Sequence, residues 1–262
     1  MKTLFVFLFA IFSLSCASSA SGKKENSSID IYKLNANGYW RTMPSNNSIT
    51  VIGVSNPLSK KSDEIAAAKE DAARKIAMYH GIYISIESIH TTGSSFFDYV
   101  NDSKIEVLYD SNYKKYIEQL IFDPQRDVTL TDKGVFVRFK YITTTKAVKA
   151  IIDTKNIKDR PNWTHSRNLP KIDGYSTAVG FAQNQMRIKD TIMKATEAGA
   201  ARIIENNNTQ IADTSKSVVD FAASNTIHAK SKGKLSNFQV INLWIDPKTD
   251  YVYTLVIAKF DN

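Results

Sequence analysis

The chain has 262 residues, 43% of them hydrophobic, and a net charge of +8 from 34 basic and 26 acidic residues. This length is sufficient for two domains of ordinary size, each with a hydrophobic core. The single cysteine excludes an internal disulfide, and the one short lysine and tyrosine cluster, at 113–116, is too small to indicate a nucleic-acid partner.

The first fifteen residues have the pattern of an export signal. Lys2 gives a short positive start, and residues 4–12 form an unbroken apolar run that ends before Ser13. A run of this length is typical of a signal peptide and is too short to cross a bilayer, which takes about 20 apolar residues. We therefore predict a signal peptide over 1–15.

Cys16 follows this signal, and its surroundings resemble the lipobox of bacterial lipoproteins, although Ser13 stands where that motif usually has leucine. The resemblance implies cleavage before Cys16, attachment of a diacylglyceride to the thiol, and acylation of the new amino terminus by a fatty acid such as palmitate. A thiolate is nucleophilic enough near neutral pH to form the thioether. Several acyl chains together anchor a protein stably to a membrane.

Two other interpretations of this region stay open. An ordinary signal peptidase could cleave after Ala20, because Ser18, Ser19 and Ala20 form an acceptable small-residue site. Cys16 could also be a buried structural cysteine, which its polar surroundings disfavour. In the lipoprotein interpretation, residues 16–37 are rich in Ser, Lys, Asn and Gly and form a flexible tether between the lipid and the folded body.

The chain beyond the tether contains two similar units, which indicates an internal duplication. The predicted boundaries are a first repeat over 38–145, a linker over 146–160 and a second repeat over 161–262. Each repeat begins with a tryptophan, Trp40 or Trp163, and continues with a β-rich stretch around a central glycine, Gly53 or Gly180. We expect each tryptophan to cover the open side of its unit, and a surface binding role is the alternative.

An alanine-rich helix is predicted after the first strand of each repeat, and the two helices share the motif A-A-R-x-I. Small side chains let such a helix lie close against a sheet. In the first helix, Ser62 is the predicted N-cap and Gly81 the predicted residue after the end. The motif aligns Arg74 with Arg202. We expect each arginine to pack its stem on the sheet and pair at the sheet edge, with binding of an acidic partner as the alternative.

Each repeat ends with two β-rich stretches around an Asp-Pro pair, at 123–124 and at 246–247. Asp-Pro followed by polar residues is typical of turns, so each pair predicts a β-hairpin. In the last stretch of the first repeat, VFVRFKY, alternation places both valines, Phe139 and Tyr141 on one face.

The predicted order in each repeat is strand, helix, one or two shorter strands and a hairpin. Two segments between helix and hairpin, 90–104 and 213–234, show no clear pattern and are expected to be corresponding excursions, which often carry contacts. The predicted fold class is α+β, with two tandem units that each pack one alanine-rich helix on a face of an antiparallel sheet.

The sequence contains no catalytic motif, phosphate-binding loop or metal-ligand spacing. His80 is expected to be a cation at the end of the first helix, and the acidic pairs 63–64 and 70–71 are expected on the helix surface. We therefore predict no enzyme activity, no catalytic residue, no metal and no cofactor, with an enzyme of dispersed residues as an alternative. The histidines are His80, His90, His165 and His228.

The second repeat resembles the lipoprotein-20 family of bacterial envelope lipoproteins. The resemblance rests on the strand STAVGFA around Gly180, on the terminal hairpin, and on the helix that contains Ala195, Ala198, Ala200, Ala201 and Arg202. The N-terminal domain of flagellar-assembly protein T has a similar order of helix and strands. The resemblance implies a small α+β domain in an envelope lipoprotein or assembly factor, and it brings no catalytic residues.

We therefore expect a non-enzymatic bacterial envelope lipoprotein, anchored through the lipid on Cys16, in the outer membrane and facing the periplasm or the cell surface. It would act as a scaffold for protein–protein or cell-wall contacts, with an envelope protein of unknown identity as its partner. The alternative is a small-ligand-binding module whose groove lies between the two repeats.

Overall fold

The computed structural model describes residues 28–36, 38–92, 99–148, 159–184, 187–208 and 225–261. Cys16, the signal peptide, the first part of the tether and most of the linker lie outside the described residues. Within those residues, no helix is both long and apolar enough to span a membrane.

The described elements of the N-terminal half are two helices and five strands. Their bounds are α1 (Lys33–Ala36), β1 (Ser48–Ser55), α2 (Lys61–His80), β2 (Ile82–Thr92), β3 (Tyr99–Tyr109), β4 (Val128–Thr131) and β5 (Gly134–Ile142). A 3-10 helix over Tyr113–Gln119 lies between β3 and β4.

The described elements of the C-terminal half are one helix and three strands. Their bounds are β6 (Ser176–Gln183), α3 (Ile188–Asn208), β7 (Asn225–Ile245) and β8 (Tyr251–Asp261). Two short 3-10 turns, Asn162–Thr164 and Ser166–Asn168, precede β6.

Two antiparallel sheets confirm the predicted α+β class. The smaller sheet has the strand order β1-β5-β4, and the larger has the order β3-β2-β7-β8-β6. In each repeat, the first strand pairs with the last strand, which also pairs with the strand before it. The order β6-β8-β7 therefore repeats the order β1-β5-β4, as a duplication requires.

The hairpin of β2 and β3 departs from the predicted separation of the repeats, because it joins the sheet of the second repeat. β2 pairs with β7 from Ile82 opposite Leu235 to Thr92 opposite Asn225. Without β2, the side of β7 that faces away from β8 would be a sheet edge with unpaired backbone groups, and β2 pairs with these groups. The prediction of one sheet for each repeat is therefore wrong for β2 and β3.

The predicted excursions are also strands where the structure describes them. Residues 90–92 are the end of β2. Residues 99–104 belong to β3, and residues 225–234 belong to β7, while 93–98 and 213–224 lie outside the described residues. Both strands pair with β2, so the two segments are the flanks of a three-stranded extension of the larger sheet. The excursion prediction is wrong for these parts because their polar side chains concealed strands that each pair with β2.

Both alanine-rich helices lie unusually close to the first strand of their repeat. A Cβ atom at Gly53 would overlap the backbone carbonyl of Ala68 in α2, and one at Gly180 would overlap the carbonyl of Ala195 in α3. The two glycines therefore have the same role, which is to let a helix backbone touch a strand. This contact confirms the predicted close packing of small residues.

The helix-free face of each sheet is covered by the tryptophan predicted for it. Trp40 is 2% exposed and packs edge-to-face on Phe136 of β5, with ring centroids 5.2 Å apart. The same cluster includes Ile192 of α3, so this face is also the interface between the repeats. Trp163 lies in a second cluster on the outer face of the larger sheet, together with Leu255 of β8.

The tether prediction is wrong for residues 28–36, which are folded. Ile31 and Leu34 are buried in the same cluster as Trp40. The Ile31 N–H donates to the carboxylate of Asp132 over 2.9 Å, and Ile29 pairs with the outer edge of β4. The apolar residues in this polar segment are buried, so any flexible tether is shorter than expected.

The two Asp-Pro pairs have different roles. Asp246 and Pro247 form the turn between β7 and β8, where the Asp246 side chain accepts the Lys248 N–H, as predicted. Asp123 makes a similar local bond, but its loop lies between Ile121 and β4, which both pair with β5. The hairpin turn of the first repeat lies at residues 131–134 instead, so that turn prediction is wrong.

The ends of α2 agree only in part with the prediction. Gly81 follows the helix and donates its N–H to the Ala77 carbonyl. Lys60 occupies the N-cap position without a side-chain bond, and Ser62 lies inside the helix. The Glu64 carboxylate accepts the Leu58 N–H over 2.8 Å. This bond connects the preceding loop to the helix, in the role predicted for a serine cap.

Candidate functional site

The first strands of the two repeats, β1 and β6, are edge strands of their sheets. In an antiparallel pair, the N–H and C=O groups of alternate residues point away from the partner strand. The helix of each repeat packs beside its edge strand and can send side chains to these groups. The two edges can therefore be compared residue by residue.

In the first repeat, two side chains of α2 close the edge. Lys75 donates to the Ile52 carbonyl over 2.6 Å and to the Asp71 carboxylate over 2.7 Å. The same carboxylate oxygen accepts the Val54 N–H over 2.9 Å. Asp71 is 1% exposed, so the expected surface position of this acid is wrong. The first repeat thus neutralises its own edge with a buried ion pair.

In the second repeat, Arg202 of α3 donates to the Val179 carbonyl over 2.6 Å. Arg202 and Lys75 each lie 23 residues after the carbonyl that they bind. Lys75 is therefore the structural counterpart of Arg202, and the predicted match of Arg74 with Arg202 is wrong by one residue. Alignment of the two central glycines also aligns Lys75 with Arg202, whereas alignment of the shared A-A-R-x-I motif aligns Arg74 with Arg202.

The expectation of an arginine at the sheet edge holds for Arg202 but not for Arg74. Arg74 pairs with Glu70 over 2.8 Å and donates to the Tyr113 hydroxyl over 3.0 Å. Its guanidinium also lies 4.9 Å from the centre of the Tyr113 ring. It therefore fixes the 3-10 helix to α2 and does not reach the edge of the sheet.

The buried acid of the first repeat has no counterpart in the second. Asp71 lies 17 residues after Val54, and the same separation from Phe181 leads to Ala198. The Val179 carbonyl points to the free edge, so alternation places the Phe181 N–H on that edge too. Among the described residues, no side chain accepts a hydrogen bond from the Phe181 N–H. The second repeat therefore keeps the cation but lacks the carboxylate.

An open groove lies beside this edge. It has a volume of about 680 Å³ and runs between the 3-10 turns that precede β6 and the outer face of β6 and β8. The side chains that give it its character are three arginines, a histidine and three aromatic rings. They are Arg160, His165, Arg167, Arg202, Phe181, Tyr251 and Tyr253.

The three arginines of the groove have no ion-pair partner among the described residues. Arg160 donates to the Thr164 hydroxyl and lies 4.2 Å from the centre of the Tyr253 ring. Arg202 lies 4.6 Å from the centre of the Phe181 ring. Both contacts orient the guanidinium groups by cation–π attraction without neutralising their charge.

Burial lowers the pKa of Arg202, and the nearby Glu205 acts in the opposite direction without forming an ion pair. This half-buried cation therefore lacks part of its hydration and would gain from an anion placed beside it. Burial also raises the pKa of Tyr253, which Arg160 partly offsets. The groove is therefore positively charged and is lined by aromatic rings.

The histidines do not form a common site in the described structure. His165 is exposed at the groove, whereas His80 stacks on Tyr116 and bonds to the Tyr141 hydroxyl over 2.9 Å. Partial burial of the His80 ring, together with Lys115, lowers its pKa, which disfavours the cation expected at the helix end. The side chains of His90 and His228 lie outside the described residues.

Among the residues that the structure describes, no three His, Cys, Asp or Glu side chains are grouped so that they could hold a metal ion.

Two further spaces lie between the repeats. The first is a largely apolar cavity of about 40 Å³ that Trp40, Lys75 and Phe238 help to enclose. Since one water needs about 10–15 Å³ of such volume, it has room for only a few waters. The second is an open groove of about 700 Å³ where residues 144–148 meet residues 172–175. Its charged side chains have both signs, so it favours no class of ligand.

No protein-family model, curated protein or solved structure matches this chain. The resemblance to the lipoprotein-20 family therefore stays a prediction.

Proposed function

We propose that this protein is a lipid-anchored component of the bacterial envelope and that its folded body is a binding module without catalytic activity. The lipid on Cys16 would hold the chain at the outer membrane, and residues 17–27 would connect it to the body. The body would face the periplasm or the cell surface and contact a protein of the envelope or the cell wall.

The open groove of the second repeat is the observation that carries the binding role. It combines uncompensated positive charge with aromatic rings, and arginine and tyrosine are enriched among residues that dominate protein interfaces. The comparison of the two repeats gives a further reason to expect binding at this groove. The first repeat neutralises its sheet edge internally, whereas the second repeat leaves its edge without a carboxylate.

A small-ligand site between the repeats is the second candidate. The open groove at residues 144–148 and 172–175 has a volume in the range of ligand pockets, about 300–1,000 Å³. Its mixed charges give it no chemical preference, so we rank it below the groove of the second repeat.

Replacing Cys16 by alanine tests the anchor. In cells fed with labelled palmitate, we expect the wild-type chain to carry the label and to sediment with membranes. The Cys16→Ala chain should carry no label and should move to the soluble fraction, because its acyl chains are absent.

The matched control is Ser15→Ala, which changes the neighbouring residue and leaves the thiol in place. It should keep both the label and the membrane fraction. Equal labelling of the wild-type and Cys16→Ala chains would refute the anchor. An amino terminus at Ser21 in the mature wild-type chain would refute it as well, since cleavage after Ala20 removes Cys16.

A further inference from the structure

The comparison of the two repeats indicates what the groove of the second repeat lacks. In the first repeat, the Asp71 carboxylate lies between the Val54 N–H and the Lys75 ammonium. The corresponding groups of the second repeat are the Phe181 N–H and the Arg202 guanidinium, and Ala198 supplies no oxygen between them. The protein itself thus shows which chemical group fits at such an edge.

We propose that the groove binds a carboxylate of a ligand, with the Phe181 N–H and Arg202 as its direct partners. The ligand carboxylate would take the place that Asp71 holds in the first repeat. Arg160 and Arg167 line the same groove and would attract further negative charge on the ligand.

The arrangement favours a carboxylate for two physical reasons. A carboxylate has two oxygens, so it can accept a backbone N–H and a guanidinium N–H at once. Arg202 already uses one nitrogen on the Val179 carbonyl over 2.6 Å, which holds the guanidinium at the edge before any ligand binds. An orientation fixed in advance reduces the entropy lost on binding.

The rings beside the arginines would contact the rest of the ligand. Phe181 is 44% exposed and lies 6.0 Å from Tyr253, between ring centroids. Such a surface accepts the apolar faces of side chains and of sugar rings. The ligand is therefore a carboxylate attached to an apolar or ring-bearing chain. An acidic protein segment is the source that we propose, because arginine and tyrosine are enriched among residues that dominate protein interfaces, and a carboxylated glycan is the other outcome of the test.

The inference rests on the proposed binding role and is tested with the full-length chain purified in detergent. The probes are fluorescent pentaglutamate and pentagalacturonate, and the neutral controls are pentaglutamine and galactopentaose. Anisotropy is measured in about 0.15 M salt, which screens weak surface attraction. We expect at least one acidic probe to bind below about 1 mM and both neutral probes not to bind in this range.

The decisive variant is Ala198→Asp, which restores to the second repeat the acid of the first. Its carboxylate would lie between the Phe181 N–H and Arg202, so we expect affinity for the acidic probe to fall about 10-fold or more. The melting temperature should stay equal or rise, because the new ion pair copies the pair of Lys75 and Asp71. Ala198→Asn, which has the same size without the charge, should reduce affinity less.

Two arginine variants complete the test. Arg167 is exposed in the groove, so Arg167→Gln should weaken binding a few-fold without changing the fold. Arg126 is exposed in the first repeat and serves as the control for loss of one positive charge. Arg126→Gln should bind as the wild type does.

The pattern of results separates the sources of the carboxylate. Binding of pentaglutamate alone assigns the groove to a protein partner, binding of pentagalacturonate alone assigns it to a glycan, and binding of both supports the carboxylate itself. The proposal fails if neither acidic probe binds, if neutral probes bind equally, or if Ala198→Asp binds as the wild type does. Because labelling of Cys16 is measured separately, the anchor and the groove can fail independently.

Discussion

At the scale of single residues, two glycines determine how close the helices come to the sheets. Gly53 and Gly180 each face a helix carbonyl at a distance that leaves no room for a side chain. Neither glycine requires a left-handed backbone conformation, since their importance is the space that they leave empty.

Replacing either glycine by alanine should therefore be costly. The added methyl group would overlap a helix backbone, which cannot rotate away as a side chain can. We expect Gly53→Ala and Gly180→Ala each to lower the free energy of unfolding by about 3 kcal/mol or more. Urea unfolding followed by tryptophan fluorescence measures this change.

Gly81→Ala is the matched control for both variants. Gly81 has an extended backbone, and the nearest atom to its added methyl group would be the Lys234 Cε at 3.9 Å. We expect a change within about 0.5 kcal/mol. A similar loss of stability at all three positions would show that glycine content, and not close packing, explains the effect.

The sequence predicted these residues unevenly. The two glycines and the two tryptophans could be found because they recur in the same order in both repeats. The pairing of Arg202 with Lys75 could not be found from the motif, because an identical A-A-R-x-I reads one residue out of register. Asp71 looks like a surface acid in the sequence, since its burial depends on packing against an edge strand that the pattern of the helix itself does not show.

At the scale of elements, the end of α2 contains a group whose charge is linked to folding. His80 stacks on Tyr116, bonds to Tyr141 and lies near Lys115, and burial and Lys115 lower its pKa below the usual value of 6.5. The unfolded chain therefore binds this proton more readily than the folded chain does. Stability then falls as the pH decreases through the usual histidine range.

Unfolding midpoints between pH 8 and about pH 5 test this linkage. We expect the wild-type midpoint to fall as the pH decreases, and His80→Gln to fall less steeply because the titrating group is absent. His165→Gln removes an exposed histidine and should keep the wild-type slope. If His80→Gln also keeps that slope, other groups cause the pH dependence.

The strand pairing shows why some elements could not be predicted. Alternation in β5 is strong because this strand is central and packs on α2, so its faces were predicted correctly. β2 pairs with β7, more than a hundred residues later in the chain, and no local pattern specifies such a partner. The hairpin at residues 131–134 was missed because an Asp-Pro pair nearby has stronger turn chemistry.

At the scale of the whole molecule, the two repeats share their cores. One cluster joins Met78 and Ile84 of the first repeat to Ile203 and Val256 of the second. Another joins Trp40 to Ile192. Together with the pairing of β2 and β7, these contacts predict that the repeats unfold as one cooperative unit.

Variants with a single tryptophan test this cooperativity. W163F/W244F keeps only Trp40 in the first repeat, and W40F/W244F keeps only Trp163 in the second. We expect Ile192→Ala, placed in each background, to lower stability by about 2–5 kcal/mol and to shift both fluorescence transitions equally. A shift confined to the Trp163 background would mean that the repeats unfold independently.

The position of β7 in the chain has a consequence for biogenesis. The hairpin of β2 and β3 can complete its sheet only after β7, which begins at Asn225, becomes available. A chain that crosses a membrane from its amino terminus would deliver this strand after the whole first repeat and α3. The first repeat would until then have an open sheet edge, and its folding would be completed only after β7 has emerged.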